Sequence, residues 1–167
     1  HAMRAGLSVG SFSSIEPVKA MLLAAGIDTS AKTEADRKLL ATIGDALQEH
    51  AKWRTYWCAR EVRKFFALSG PGVFFLHVRE PALIAQLTRD LQKQFSIWTI
   101  RVDSVRAENV TSNSADAGVH EMRYDLAVSN NGTLDDLSKE ACTALRCIAG
   151  HLLPNTDVQL YVEPKLN

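Results

Sequence analysis

Between Gly72 and Arg79 the chain reads Val-Phe-Phe-Leu-His-Val, a β-prone run broken only by His77, and Glu80-Pro81 follows at once with a helical pattern behind it. An apolar run without alternation is how a strand covered on both faces of a parallel sheet reads. Proline is tolerated at the first helical position, where its missing N–H has no partner to lose. IWTIRV (97–102) and YDLAVS (124–129) read as two more strands, LSVGSF (7–12) as a shorter first one and DVQLYV (157–162) as a strand in the tail. A parallel pair needs a crossover connection, and helical patterns stand where those crossovers belong. The alternation predicts an α/β fold of three layers, with a central parallel sheet and helices on both faces.

The helices carry their own punctuation. Ser13-Ser14 offers an N-cap, Pro17 falls early in the first helix, and Gly26 ends it. Thr33 with Asp36 resembles a capping box, with Leu39, Leu40, Ile43 and Leu47 at helical spacing behind it. From Trp53 to Leu68 another helix places Cys58, Val62, Phe65 and Phe66 on one face, and Ser69-Gly70-Pro71-Gly72 stops it. Leu83, Ile84, Leu87 and Leu91 line the helix that Pro81 opens. Thr133 and Asp136 cap a last helix with Leu134, Leu137, Ala141, Leu145 and Ile148 inward. Residues 103–123 form a long polar connection, and such loops in compact domains are functional or disordered.

A chain of 167 residues fits one domain, 1–167, and buries a core without staples. Lys plus Arg and Asp plus Glu each number 19, a balance that argues against a dedicated nucleic-acid binder and leaves room for a local basic pocket. The segment KWRTYWCAREVRK (52–64) mixes aromatic and basic residues, but its apolar positions recur at helical spacing, as core packing requires. Three cysteines, Cys58, Cys142 and Cys147, make neither a disulfide framework nor a zinc pattern and read as small core residues in a reducing compartment. No apolar run is long enough to span a membrane, and His1-Ala2-Met3 does not open a signal peptide. The expected location is cytoplasmic.

In open parallel sheets, ligands bind beyond the carboxyl ends of the strands. Arg79, Arg101, Arg106 and Arg123 stand at or beyond such ends, and Arg37 lies on a helix of the 27–68 region. A guanidinium grips a phosphate through two parallel hydrogen bonds, so these residues could form a basic pocket in a neutral protein. Each has a plainer alternative: a helix cap for Arg79, an ion pair for Arg101, solvated surface for Arg106 and Arg123, an exposed helix face for Arg37. Ser13 and Ser14 follow the first strand, as ligand contacts or helix caps. Glu80 accompanies Arg79. Asp103 ends a strand where it could approach a metal-bound water, and Asn130 and Asn131 follow the 124–129 strand. His77 reads as a core or sheet-face histidine.

Four segments in order resemble the phage-type deoxynucleoside monophosphate kinases and their adenylate-kinase-like P-loop relatives: SSIEPVK (13–19), KTEADRKLLATIGDAL (32–47), FFLHVREP (74–81) and SADAGVHEMRYDLAVSNNGTLDDL (114–137). The resemblance implies transfer of a phosphoryl group from ATP, with Mg2+, to a (deoxy)nucleoside monophosphate. It makes 27–68 a helical substrate-binding insertion, 103–123 a lid and 154–167 a tail outside the pattern. Arg79, Arg106 and Arg123 become the candidate catalytic residues, with Arg37, Ser13, Ser14, Glu80 and Arg101 on the substrate, Asn130 and Asn131 on the nucleotide cofactor and Asp103 at the metal. The expected partner is the monophosphate substrate, with no membrane or nucleic acid and a homodimer left open. The family also begins with a strand and a Gly-x-x-x-x-Gly-Lys-Ser/Thr loop, and no Gly-Lys pair occurs in this chain. The match therefore implies a further strand, loop and half-helix, roughly 20–30 residues, ahead of residue 1. The alternatives are a non-catalytic nucleotide-binding or scaffold protein without that loop and, more remotely, a nucleic-acid accessory protein using the 52–64 helix.

Overall fold

The computed structural model describes residues 8–105, 118, 119 and 121–152. The chain divides into two compact units, one built mainly from residues before Ser96 and the other from 96–109 and the chain after Met122.

The first unit contains β1 (Ser8–Ser13), α1 (Glu16–Ala24), α2 (Glu34–Ala51), α3 (Trp53–Ser69), β2 (Gly72–His77) and α4 (Pro81–Leu91). β1 and β2 run parallel, in register from Ser8 opposite Gly72 to Ser13 opposite His77. α3 packs on both strands, and a Cβ at Gly10 would come within 2.8 Å of both Phe65 and Phe74, so the bare backbone of β1 is what admits the aromatic rings. Phe65 meets Phe74 and Phe66 at centroid separations of 5.0 and 5.1 Å, and Phe66 stacks on Phe95 at 4.8 Å. The remaining core is Val18 and Leu22 of α1, Cys58, Ala59 and Val62 of α3, and Leu83, Leu87 and Leu91 of α4.

Several stop and start signals act as their chemistry requires. Gly26 has φ +82°, Thr33 and Asp36 form a complete capping box on α2, and Pro81 occupies the first turn of α4. Lys52 sits in the left-handed region at φ 52°, closing α2 and opening α3 in one residue. The expected cap of α1 is corrected: its N-cap is Ile15, with no side-chain cap bond, and Ser14 is engaged elsewhere.

The second unit holds β3 (Ile100–Asp103), β4 (Leu126–Ser129) and α5 (Leu134–Leu152). β3 and β4 are parallel, Ile100 opposite Leu126 and Asp103 opposite Ser129, with Val128 and Cys142 buried. β3 begins three residues later than the apolar pattern suggested. Thr99 gives its N–H and hydroxyl to the Asp125 carboxylate, both at 2.7 Å, and its carbonyl accepts the N–H groups of Asp125 and Leu126. This side-chain clasp takes the place of the ladder there. Thr133 and Asp136 exchange bonds as a capping pair on α5, but Leu134, 80% exposed in the first turn, and Ala141, also exposed, lie outside the buried face rather than inward.

The fold is mixed α/β with parallel strands in two two-stranded sheets among the described residues. Among the described residues a central sheet of three-layer type is not shown; β2 pairs with β1, and its Phe75 is 39% exposed. Its run of apolar residues reflects the aromatic cluster with α3 on one side of the strand. The expected strand 157–162, the 154–167 tail and most of 103–123 lie outside the described residues.

Candidate functional site

The chain leaves β1 through Ser14 and Ile15 into α1, and leaves β2 through Val78, Arg79 and Glu80 into α4. The two exits are tied to each other at the backbone, where Ser14 N–H donates to the His77 carbonyl at 3.1 Å. Beneath them lies Arg54, from the first turn of α3, only 3% exposed. One terminal nitrogen of its guanidinium donates to Ser14 Oγ at 3.3 Å and to Glu80 Oε1, and the other donates to Asp45 Oδ1 at 3.4 Å. Among the described residues its buried Nε has no hydrogen-bond partner. The second Glu80 oxygen, Oε2, accepts the Arg79 N–H at 3.3 Å. Cation and carboxylates compensate one another, as burial of charge demands.

The surroundings hold this network in place. Gln48 of α2 clasps Thr55 of α3, donating to Thr55 Oγ1 at 2.8 Å and accepting the Thr55 N–H at 3.2 Å. Cys58, one turn along α3 from Arg54, has no exposed surface. Burial pushes its thiol up to about 12, with Arg54 pulling the other way and Glu80 adding to the rise. Beside Glu80 a cleft of about 590 Å³ opens between the N-terminal end of α4 (Pro81, Ala82, Ala85) and Gly118, Glu121 and Met122.

The structure thus brings Ser14, Arg79 and Glu80 together. Ser13 is half-buried at the end of β1, opposite His77, and the His77 side chain is exposed on the sheet. Arg37 is exposed on α2 with Glu34 at 3.8 Å. Arg106 lies outside the described residues, and Arg123 is exposed in the second unit.

In that second unit Arg101 takes its plainer alternative, an ion pair. Its Nε lies 2.9 Å from Asp103 Oδ1, and its guanidinium sits 5.7 Å from the centre of the Tyr124 ring. The Asn130 N–H bonds the Asp103 carbonyl at 2.7 Å. Asn131 accepts the Val105 N–H at 2.6 Å and donates to Ser129 Oγ at 3.0 Å, fastening the exit of β3 to that of β4. Bonds from the Thr99 backbone, then from its hydroxyl, hold the Asp125 carboxyl below its ordinary range.

Asp103 shares its carboxylate with Arg101, and among the described residues no three His, Cys, Asp or Glu side chains group as metal ligands. The described residues therefore offer a magnesium ion no protein cage, and the sequence has no Gly-Lys pair for a triphosphate. What these strand ends can supply is a preset backbone, a guanidinium at Arg79 and a part-apolar cleft beside it.

Arg54 and Asp45 are the residues that sequence reasoning missed. A signal existed: Arg54 precedes Cys58 and Val62 by four and eight positions, so it shares their inward stripe. Its position beside Trp53, Tyr56 and Trp57 invited attention to aromatic-basic mixing instead.

No known protein family, curated protein or solved structure matches this chain.

Proposed function

We propose that the chain is a nucleotide kinase-like domain whose β1–β2 unit receives a (deoxy)nucleoside monophosphate. The observation that carries this reading is the convergence of both strand exits on the buried Arg54, with Arg79 on the surface above it. Carboxyl ends of parallel strands are where α/β domains hold ligands. Arg79 grips the acceptor phosphate, Arg37 is a second contact, Ser13, Ser14 and Glu80 shape the exits, and the cleft by Pro81 and Met122 receives the nucleoside. The segment resemblance supplies the chemistry: a phosphoryl group from ATP with Mg2+, Arg106 and Arg123 toward the transferred group, Arg101 toward substrate, Asn130 and Asn131 toward the cofactor, Asp103 toward the metal. It also supplies the finer fold, one central parallel sheet in three layers.

The second reading, a nucleotide-binding or scaffold protein without transfer activity, is favoured by the absence of a Gly-Lys pair. A coupled ADP-release assay with ATP, Mg2+ and each of the four deoxynucleoside monophosphates separates the two. The chain starting at His1 is expected to show no turnover, because it has no Gly-Lys loop to hold the ATP phosphates, and the same chain extended by an upstream Gly-x-x-x-x-Gly-Lys-Ser/Thr segment is expected to turn over. Robust turnover by the chain starting at His1 would contradict this account of the site. An extended chain that stays inactive leaves the second reading.

A further inference from the structure

We propose that Arg54 is a positioning residue: it presets the exits of β1 and β2 for a phosphate-bearing ligand and acts on Arg79 through Glu80. The inference rests on the reading of these exits as a monophosphate site. At 3% exposure Arg54 does not meet a ligand itself. Its fork reaches both exits, donating from one nitrogen to Ser14 Oγ and to Glu80 Oε1. Glu80 completes the relay, because its other oxygen holds the Arg79 backbone N–H at 3.3 Å. Pro81 follows immediately and fixes its own φ, so the backbone on either side of Glu80 is constrained.

The energetics argue that the arginine does more than fill space. Burying a charged side chain carries a large desolvation cost, and apolar replacements of similar volume are often as stable as a buried ion pair or more so. Here the cost is raised further, because Nε finds no partner among the described residues. Buried polar groups that are only partly satisfied are poor contributors to stability, whereas a directional network can select one arrangement among several. Lysine cannot replace this residue in kind: an ammonium is a point charge, and the two exits are held by a planar fork.

The test is calorimetric titration of dAMP, dCMP, dGMP and dTMP into the full chain and into Arg54→Lys, Glu80→Gln, Arg79→Ala and the Arg54→Lys/Arg79→Ala double variant. Each is measured well below the midpoint of its own thermal melt. Arg79→Ala is expected to weaken binding by about ten- to a hundredfold. Arg54→Lys and Glu80→Gln are each expected to weaken it by about tenfold. The double variant is expected to lose less than the sum of the two single losses, because Arg54 acts in part through the residue already removed. A merely structural arginine gives a different result: Arg54→Lys melts earlier but binds like the parent, or its loss adds to that of Arg79→Ala, and either outcome overturns the proposal. Should Arg54→Lys fail to fold, Glu80→Gln decides, since it leaves the arginine in place and cuts the relay; unchanged binding there overturns the proposal. A parent that binds none of the four nucleotides removes the reading of the site and the proposal with it, whereas a parent that binds beside indifferent Arg54 and Glu80 variants removes the proposal alone.

Discussion

Cys58 has no exposed surface and sits within the electrostatic reach of Arg54 and Glu80, so its thiol reports on the interior of the site. Burial raises it from 9.0 to about 12, which means the folded chain keeps this proton where the unfolded chain has lost it. Below about pH 9 both states are protonated and the group contributes no pH dependence. As pH rises from there toward 12, the unfolded state binds fewer protons, and stability falls by up to about 1.4 kcal/mol per pH unit from this group. Denaturant melts of the parent and of Cys58→Ala across that window should diverge, with the parent losing stability more steeply. In a thiol-labelling assay the exposed Cys147 should react and Cys58 should not until the chain unfolds. Equal labelling rates at the two positions, or parallel pH slopes, would contradict the burial described. The place of Arg79 and Glu80 at the exit of β2 was legible from the apolar run that ends before them. Arg54 was not, because a charged residue on an apolar stripe carries no mark in the sequence of what it will be paired with.

At the scale of elements, local chemistry was the most legible layer. The capping pairs Thr33/Asp36 and Thr133/Asp136, the proline that opens α4 and the glycine after α1 all involve residues within four positions of one another, so their effect can be read before any tertiary contact is known. The misreadings share the opposite property. Ser14 was available as a cap, but its hydroxyl meets Arg54, 40 residues away, and Thr99 was read as strand until Asp125, 26 residues on, clasped it. The break between α2 and α3 is a local feature of another kind. Lys52 adopts φ 52° and ψ 32°, accepts the Tyr56 N–H at 2.9 Å and donates to Gln48 at 3.0 Å, all in a conformation that favours glycine. A side chain there costs about 1–2 kcal/mol relative to the right-handed region. Lys52→Gly is therefore expected to be neutral or to stabilise by about 0.5–1 kcal/mol, after the extra freedom of glycine in the unfolded chain is subtracted. Lys52→Val should destabilise, since a β-branched residue fits that region poorly. Thermal melts of the two variants check this, and a Lys52→Gly variant less stable than Lys52→Val would contradict the assignment of the left-handed cap.

For the whole molecule, the sequence pattern led correctly to mixed α/β with parallel strands, and the described residues show these as two parallel pairs. Strand propensity resides in each segment, whereas pairing is decided by partners far along the chain: β1 and β2 pair across 64 positions, Ser8 with Gly72. An unbroken apolar run predicts two covered faces, whereas in β2 Phe74 meets Phe65 of α3 and Phe75 is 39% exposed. Lys plus Arg and Asp plus Glu each number 19, and among the described residues no helix is long and apolar enough to cross a membrane. The central claim is that the exits of β1 and β2 hold a nucleoside monophosphate. Amide NMR spectra of the isotopically labelled chain, titrated with dAMP, dCMP, dGMP and dTMP in turn, test it most directly. With at least one nucleotide, saturable shifts are expected at residues 13–15 and 78–82, with Arg79 and Glu80 among the largest. Spectra that none of the four nucleotides alters, or saturable shifts that leave those two segments untouched, would contradict it.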